Sequence, residues 1–286
     1  MALSEPMLDR QSSIENPPST IVVKLGGTEG VDFSAICTDA AALLGQGRKL
    51  VLVHGGSAEA STLGEVLGHP ARFITSPSGF TSRYTDRRTL EIFAMAVNGK
   101  VNTLLVEQLQ ALGIDALGLS GLDGRLLLAT RKQAVQSVEN GRRKILRDDF
   151  TGKIDQVNTR LLTSLLDEDY TPVIAPLAVS GAGEALNVDA DRAAAMVSAA
   201  LHAEALLLLT AVPGLLRSFP DEATLIRDLP RTKLEEALDL AQGRMKKKVL
   251  GAREALAGGV GRVIIADGRV PNPISRALAG QGTVIA

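Results

Sequence analysis

The chain has 286 residues, 45% of them hydrophobic and 22% charged, with a formal net charge of -1. That is enough apolar mass for a sizeable core, and the balance excludes global disorder and a protein built to coat nucleic acid. A single cysteine, Cys37, excludes an intrachain disulfide and fits the reducing cytoplasm. The 3% of aromatic residues, with no tryptophan, leave few platforms for stacked bases.

Residues 1–18 contain Glu5, Asp9 and Glu15, no continuous apolar run, and close on Pro17-Pro18; they read as a flexible tail, not a signal or transit peptide. A strand is predicted at Ile21–Leu25, then a helix at Phe33–Leu44 that carries Cys37 as a small buried hydrophobe, then a strand at Leu50–Val53. A long helix is predicted from Thr85 to Leu112, with Asp86 near its start and Gly113 just past its end. A strand at Ala116–Leu119 follows. Arg125–Thr130, Arg142–Leu146 and Gly152–Val157 break the rhythm and read as hairpin strands, an excursion at the sheet edge. Beyond them come a helix at Gln156–Leu166, a strand at Pro172–Ala175, a helix at Ala190–His202 and a strand at Ala205–Leu209. Helices at Lys233–Leu240 and Met245–Leu256 and strands at Val263–Ala266 and Thr283–Ile285 complete the pattern. The longest apolar stretch, at Ala205–Leu209, is far too short to span a bilayer.

This alternation predicts an α/β fold, a three-layer αβα sandwich with an open, mostly parallel central sheet. Residues 19–286 form one domain of two lobes, about 19–180 and 181–286, dividing near Ser180-Gly181-Ala182-Gly183. In such a sheet, ligands bind outside the carboxyl ends of the strands. Two strands end there in glycine turns: Lys24-Leu25-Gly26-Gly27 and His54-Gly55-Gly56. A lysine beside bare backbone N–H groups suits a phosphate, and two such turns suggest two anionic groups held face to face. No P-loop occurs. Gly181-Ala182-Gly183 lacks the third glycine of a dinucleotide fingerprint, since Leu186 stands at that position.

Three further segments carry charge at helix starts. Arg83, in Ser78-Gly79-Phe80-Thr81-Ser82-Arg83-Tyr84-Thr85-Asp86, stands where a guanidinium can clamp a carboxylate, or is a surface arginine. Asn187-Val188-Asp189-Ala190-Asp191 opens a helix, and Asp189 or Asp191 suits its N-cap. Gly243-Arg244-Met245-Lys246-Lys247-Lys248-Val249 opens another, in which Lys246 and Lys247 read as a solvated basic face.

The ordered set of the Lys24 turn, His54-Gly55-Gly56, Arg83 with Thr85-Asp86, Asn187 to Asp191, and Met245 with Lys248 resembles the amino acid kinase family, in its acetylglutamate kinase branch. Within that branch, Ser78 to Leu90, Arg147 to Lys153 and Met245 to Leu250 look like the subgroup that phosphorylates carrier-bound 2-aminoadipate in lysine biosynthesis. The resemblance covers about residues 20–255 and implies the amino acid kinase fold. It also implies transfer of the γ-phosphoryl of ATP, with Mg²⁺, to a side-chain carboxylate.

By this resemblance Lys24 and Lys248 stabilise the transferring phosphoryl and Asp191 holds the two ammonium groups. Gly26, Gly27, Gly55 and Gly56 bring backbone N–H groups to the phosphate and the acceptor, while Arg83 and Asn187 bind the acceptor's α-carboxylate. The first lobe would take the acceptor and the second ATP. The resemblance implies a homodimer and an acidic amino-group carrier protein as partner. Segment 131–153 suits such a partner, or is a solvated edge hairpin. It has seven positive residues (Arg131, Lys132, Arg142, Arg143, Lys144, Arg147, Lys153) against Glu139, Asp148 and Asp149. Ser57 replaces the third glycine usual in acetylglutamate kinases, and Ala211 an aspartate common in the wider family. An acetylglutamate kinase, a dual glutamate and aminoadipate kinase, and an inactive amino-acid-binding subunit are the rival readings.

Overall fold

A computed structural model of the chain describes residues 19–27, 31–77, 79–139 and 142–286, so the expected tail 1–18 lies outside the described residues. The first half contains β1 (Thr20–Leu25), α1 (Phe33–Leu44), β2 (Lys49–His54), α2 (Ser57–Val66), β3 (Phe73–Thr75), β4 (Thr81–Arg83), α3 (Arg87–Ala94), a π-helical segment (Met95–Asn102), α4 (Thr103–Ala111) and β5 (Ala116–Ser120). Next come β6 (Leu127–Arg131), β7 (Val135–Glu139), β8 (Arg142–Leu146), β9 (Gly152–Val157), α5 (Thr159–Asp167), β10 (Thr171–Ala175), β11 (Leu177–Val179) and β12 (Ala185–Asn187). The last part holds α6 (Ala190–Ala200), β13 (Ala205–Thr210), β14 (Asp228–Leu229), α7 (Leu234–Leu240), α8 (Gly243–Ala257), β15 (Arg262–Asp267), α9 (Pro273–Leu278) and β16 (Thr283–Ile285).

The central eight-stranded sheet has the order β14-β16-β15-β13-β1-β2-β10-β5, and only the β15–β16 pair is antiparallel. Side chains alternate across it. Ile21, Val23, Leu25, Leu50, Leu52, Leu207 and Leu209 pack with Ile36 and Cys37 of α1, Leu105 and Leu109 of α4, and Ile274 of α9. Val22, Val51, Val53, Leu206 and Leu208 pack against Leu162 of α5, Ala194 and Val197 of α6, and Val249 and Leu256 of α8. The sheet therefore lies between two helix layers, as the alternation requires. Period-two geometry puts Lys24 on the same face as Val22, towards α6 and α8.

Several elements differ from expectation. The predicted excursion does not extend the main sheet: β6 and β9 belong to a separate four-stranded sheet of order β12-β11-β6-β9, and β7 pairs only with β8. Helix α5 starts later than expected because β9 claims residues up to Val157, and Asn158 then caps the helix by accepting from Leu161 N at 3.3 Å. The long helix starts at Arg87, with Asp86 as its N-cap, Oδ1 accepting from Thr89 N at 2.7 Å, and it widens into a π-segment at 95–102. Cys37 is buried as expected, and burial, with Asp32 nearby, pushes its thiol up to about 11.

The π-segment turns Asn102 towards the sheet, where its amide donates to Val173 O at 2.8 Å and to His54 Nε2 at 3.0 Å. His54 in turn donates from Nδ1 to Gly55 O at 2.6 Å, so the ring is a neutral Nδ1–H tautomer and holds the backbone that begins the second glycine turn. His54 is wholly buried, and burial, opposed by the bond to Gly55 and reinforced by the Lys24 charge, lowers its pKa to about 4. The unfolded chain takes this proton near 6.5. Stability from the neutral ring is therefore complete above that value and is lost as pH falls towards 4. Between pH 7 and 5 the loss is about 2 kcal/mol. Urea unfolding of the wild type and of His54→Gln at these two pH values checks this. The wild type is expected to lose about 2 kcal/mol more than the variant, and equal losses would refute it.

Candidate active site

Lys24, Asp191 and Lys248, far apart in the chain, meet on one face of the sheet. Asp191 Oδ1 lies 2.8 Å from Lys24 Nζ, and Lys248 Nζ lies 3.0 Å from both oxygens of the same carboxylate. All three residues are buried, each at 6–7% exposure. The fold explains the meeting. Lys24 points to the α6 and α8 side by strand parity. Asp191 stands in the first turn of α6, whose N-cap Asp189 accepts from Asp191 N at 3.0 Å and Arg192 N at 3.2 Å. Helix α8 packs on α6 so closely that a Cβ on Gly251 would lie 3.4 Å from Asp191 O.

Burial alone would push the Asp191 carboxyl up, but Lys24 and then Lys248, by charge and by hydrogen bonds, hold it well below the usual carboxylate range. The Lys248 ammonium is lowered by burial and by Lys24, against the pull of Asp191. Two cations on one anion leave a net positive charge. The three charges together therefore suit an anion.

The two glycine turns stand face to face. A Cβ on Gly27 would lie 2.8 Å from Gly56 N, and one on Gly56 would lie 2.7 Å from Val97 Cγ1 of the π-segment. A side chain at Gly27 would drive the turns apart, and one at Gly56 would push against the π-segment. Gly26 and Gly55 share this region: a Cβ on Gly26 would meet Leu209 O at 2.8 Å, and Gly55 N donates to Leu25 O at 3.2 Å.

Arg83 ends β4 and is buried beside the second turn. Its Nη2 donates to Ser57 O at 2.8 Å, Ser57 Oγ at 3.1 Å and Ser61 Oγ at 2.8 Å, and its guanidinium lies over the Phe73 ring at 5.0 Å. Thr85 Oγ1 bonds Arg83 O at 3.1 Å and lies 3.0 Å from Asn187 Nδ2, so Arg83 and Asn187 belong to one network. Buried Asp149 supports it, accepting from Thr85 N at 3.3 Å and from Thr151 N at 2.7 Å, while Phe150 N donates to Thr85 O and Phe150 O accepts from Asn187 N.

Every site residue expected from sequence thus falls in this region. Sequence reasoning named His54, Ser57 and Asp149 without seeing what they hold, and missed Ser61 and Asn102. The visible signal for His54 and Ser57 was polarity next to a glycine turn, whereas Ser61 and Asn102 lie in segments of mixed polarity and Asp149 in a loop. Lys246 and Lys247 are not a solvated face. Both are half-buried, Lys246 over the Phe80 ring at 5.6 Å and Lys247 at 3.5 Å from Asp189 Oδ2. Arg131 is also drawn inward, 3.6 Å over the Phe150 ring and paired with Glu184 at 2.9 Å.

The model of the amino acid kinase family matches residues 19–267. The [LysW]-aminoadipate kinase of Deinococcus radiodurans is 59% identical over 265 residues, covering 93% of this chain and 91% of the relative. That of Thermus thermophilus is 55% identical over 267 residues, covering 93% and 99%. The acetylglutamate kinase of Desulfitobacterium hafniense is 36% identical, covering 93% and 89%. Among solved structures, an N-acetylglutamate synthase from Neisseria gonorrhoeae, complexed with coenzyme A and N-acetyl-glutamate, superposes with a TM-score of 0.76 at 27% identity, covering 94% of this chain and 59% of that one. Giardia carbamate kinase, at 14% identity and a TM-score of 0.68, covering 94% and 98%, shares the fold. With two strand-end glycine turns opposed over a carboxylate-bridged lysine pair, and a family match along nearly its whole described length, the chain belongs to the amino acid kinase family.

Proposed function

We propose that this protein transfers the γ-phosphoryl group of ATP to the side-chain carboxylate of 2-aminoadipate linked through its amino group to an acidic carrier protein, forming an acyl phosphate in lysine biosynthesis. The observation that carries the reading is the buried Lys24–Asp191–Lys248 bridge beside two opposed glycine turns. Relatives named [LysW]-aminoadipate kinase at 59% and 55% identity support the acceptor.

The chemistry suits this residue set. A carboxylate is already ionised at neutral pH, so the acceptor needs no general base. Its oxygen attacks the γ-phosphorus, the bond to the bridging oxygen breaks, and ADP leaves. The obstacle is repulsion between two anions and charge building on the transferring oxygens, which positioned cations offset. Lys24 and Lys248 serve as those cations from two sides, and Asp191 keeps them together. Gly26 and Gly27 line the phosphate, Gly55 and Gly56 the reacting carboxylate, and Arg83 with Asn187 the acceptor's α-carboxylate. Mg²⁺ would be carried mainly by the nucleotide phosphates.

In this reading residues 19–180 take the acceptor and residues 181–286 take ATP, with Asn187 reaching across to Thr85. The protein works in the cytoplasm as a homodimer; exposed Met95, Leu104 and Leu112 are apolar side chains that such a contact would cover. No described helix is long and apolar enough to cross a membrane. The carrier docks on the basic segment 131–153, where Arg143, Arg147 and Lys153 are exposed while Arg131 is committed to Phe150 and Glu184.

Hydroxylamine trapping of the acyl phosphate tests the reaction. Hydroxamate is expected from ATP with carrier-linked aminoadipate. Formation from free N-acetylglutamate alone would assign the arginine-pathway reaction instead. Lys248→Ala is expected to lower kcat by about 10²–10³, as for a lost transition-state donor, and Lys246→Ala to change it only a few-fold. Equal losses would refute the role of Lys248. Reversing Arg142 and Arg143 to Glu is expected to raise KM for the carrier adduct, more so at low salt, and to leave KM for ATP in place. An unchanged KM for the adduct would remove the docking surface.

A further inference from the structure

Arg83 is anchored in an uneven way. Of the five N–H donors of a guanidinium, the two on Nη2 serve three acceptors, all on the first turns of α2: Ser57 O, Ser57 Oγ and Ser61 Oγ. Nε and Nη1 have no hydrogen bond among the described residues. One nitrogen is therefore the anchor and the other two remain for an anion. The Phe73 ring limits how far the group can tilt.

The anchor sits in an informative place. Ser57 directly follows Gly56, whose backbone packs against Gly27 at the phosphoryl end of the site. Ser61 is four residues on and so lies on the same face of α2. A single helical turn thus joins the glycine that faces the reacting end to the serines that fix the arginine. The span from phosphoryl site to guanidinium is set by that turn and not by a long flexible side chain.

We propose that Ser57 and Ser61 are positioning residues that set the reach of Arg83 and thereby select the length of the acceptor, favouring the aminoadipate over the glutamate adduct. The inference rests on the acceptor reading above, in which Arg83 takes the α-carboxylate. The two acceptors differ by one methylene, which a rigid site distinguishes by about 10–200-fold. With both hydroxyls removed, only the backbone Ser57 O would still hold Nη2, Arg83 would reach either acceptor, and most of that discrimination would go.

The test compares carrier-linked aminoadipate and carrier-linked glutamate as substrates for the full-length wild type, Ser57→Ala/Ser61→Ala, and Ser57→Thr. The double variant is expected to raise KM for the aminoadipate adduct, and the ratio of kcat/KM between adducts is expected to fall about tenfold. KM for ATP should not move. Ser57→Thr keeps a hydroxyl and is expected to retain most of the ratio, which a general loss of structure would not allow. A wild type that uses both adducts equally, or a double variant with an unmoved ratio, overturns the inference and leaves the kinase reading standing. A wild type that phosphorylates neither adduct overturns the acceptor reading and the inference together.

Discussion

One carboxylate shared by two buried ammonium groups organises the molecule's working end. Asp191 lies within 3.0 Å of both Lys24 and Lys248 in a place where each charge is largely removed from water. Either lysine left there alone would carry an uncompensated desolvation cost of several kcal/mol. Two lysines without the aspartate would also repel each other. With it, the three form a unit whose residual charge is positive and whose partner is missing until an anion arrives. In the proposed reaction an incoming phosphate would complete an electrostatic arrangement that folding has already assembled, which is the condition for preorganised stabilisation of a phosphoryl in transit.

The fold serves that unit by parity and by close backbone approach. Lys24 reaches Asp191 because it shares a sheet face with Val22, and that face is covered by α6 and α8. The opposite face, with Ile21, Val23 and Leu25, is covered by α1, α4 and α9. The glycine turns approach because nothing projects between them, and His54 with Asn102 fixes the second turn from below. The π-segment is what lets Asn102 face inward while Val97 still presses on Gly56.

Much of this was legible in the sequence. Continuous apolar runs such as Leu206-Leu207-Leu208 announce a strand covered on both sides, and the strand-end glycines mark the ligand edge. The charged set of Lys24, Arg83, Asp191 and Lys248 carried the family resemblance. What stayed hidden depends on tertiary register. Helix α2 has a weakly apolar sequence, Ser-Ala-Glu-Ala-Ser-Thr-Leu-Gly, so its periodicity is faint, yet its serines hold Arg83. The π-segment widens a helix without any proline, and Gly99 within it would meet nothing if it bore a Cβ, so no local steric signal marks it. Residues 125–157 show hairpin character locally, but whether they extend the main sheet or form another depends on β11 and β12, which lie later in the chain. Lys246 and Lys247 sit in a run of like charges, and composition alone could not separate them from Lys248. Their partners, Phe80 and Asp189, are distant in sequence.

The most direct measurement is the single-turnover rate of phosphoryl transfer in Asp191→Asn, with ATP and the carrier-linked acceptor both saturating and the dissociation constant for ATP measured alongside. If one carboxylate holds two ammonium groups for the migrating phosphoryl, the rate should fall by about 10²–10³ while ATP affinity changes only a few-fold. A rate within tenfold of the wild type would contradict the account.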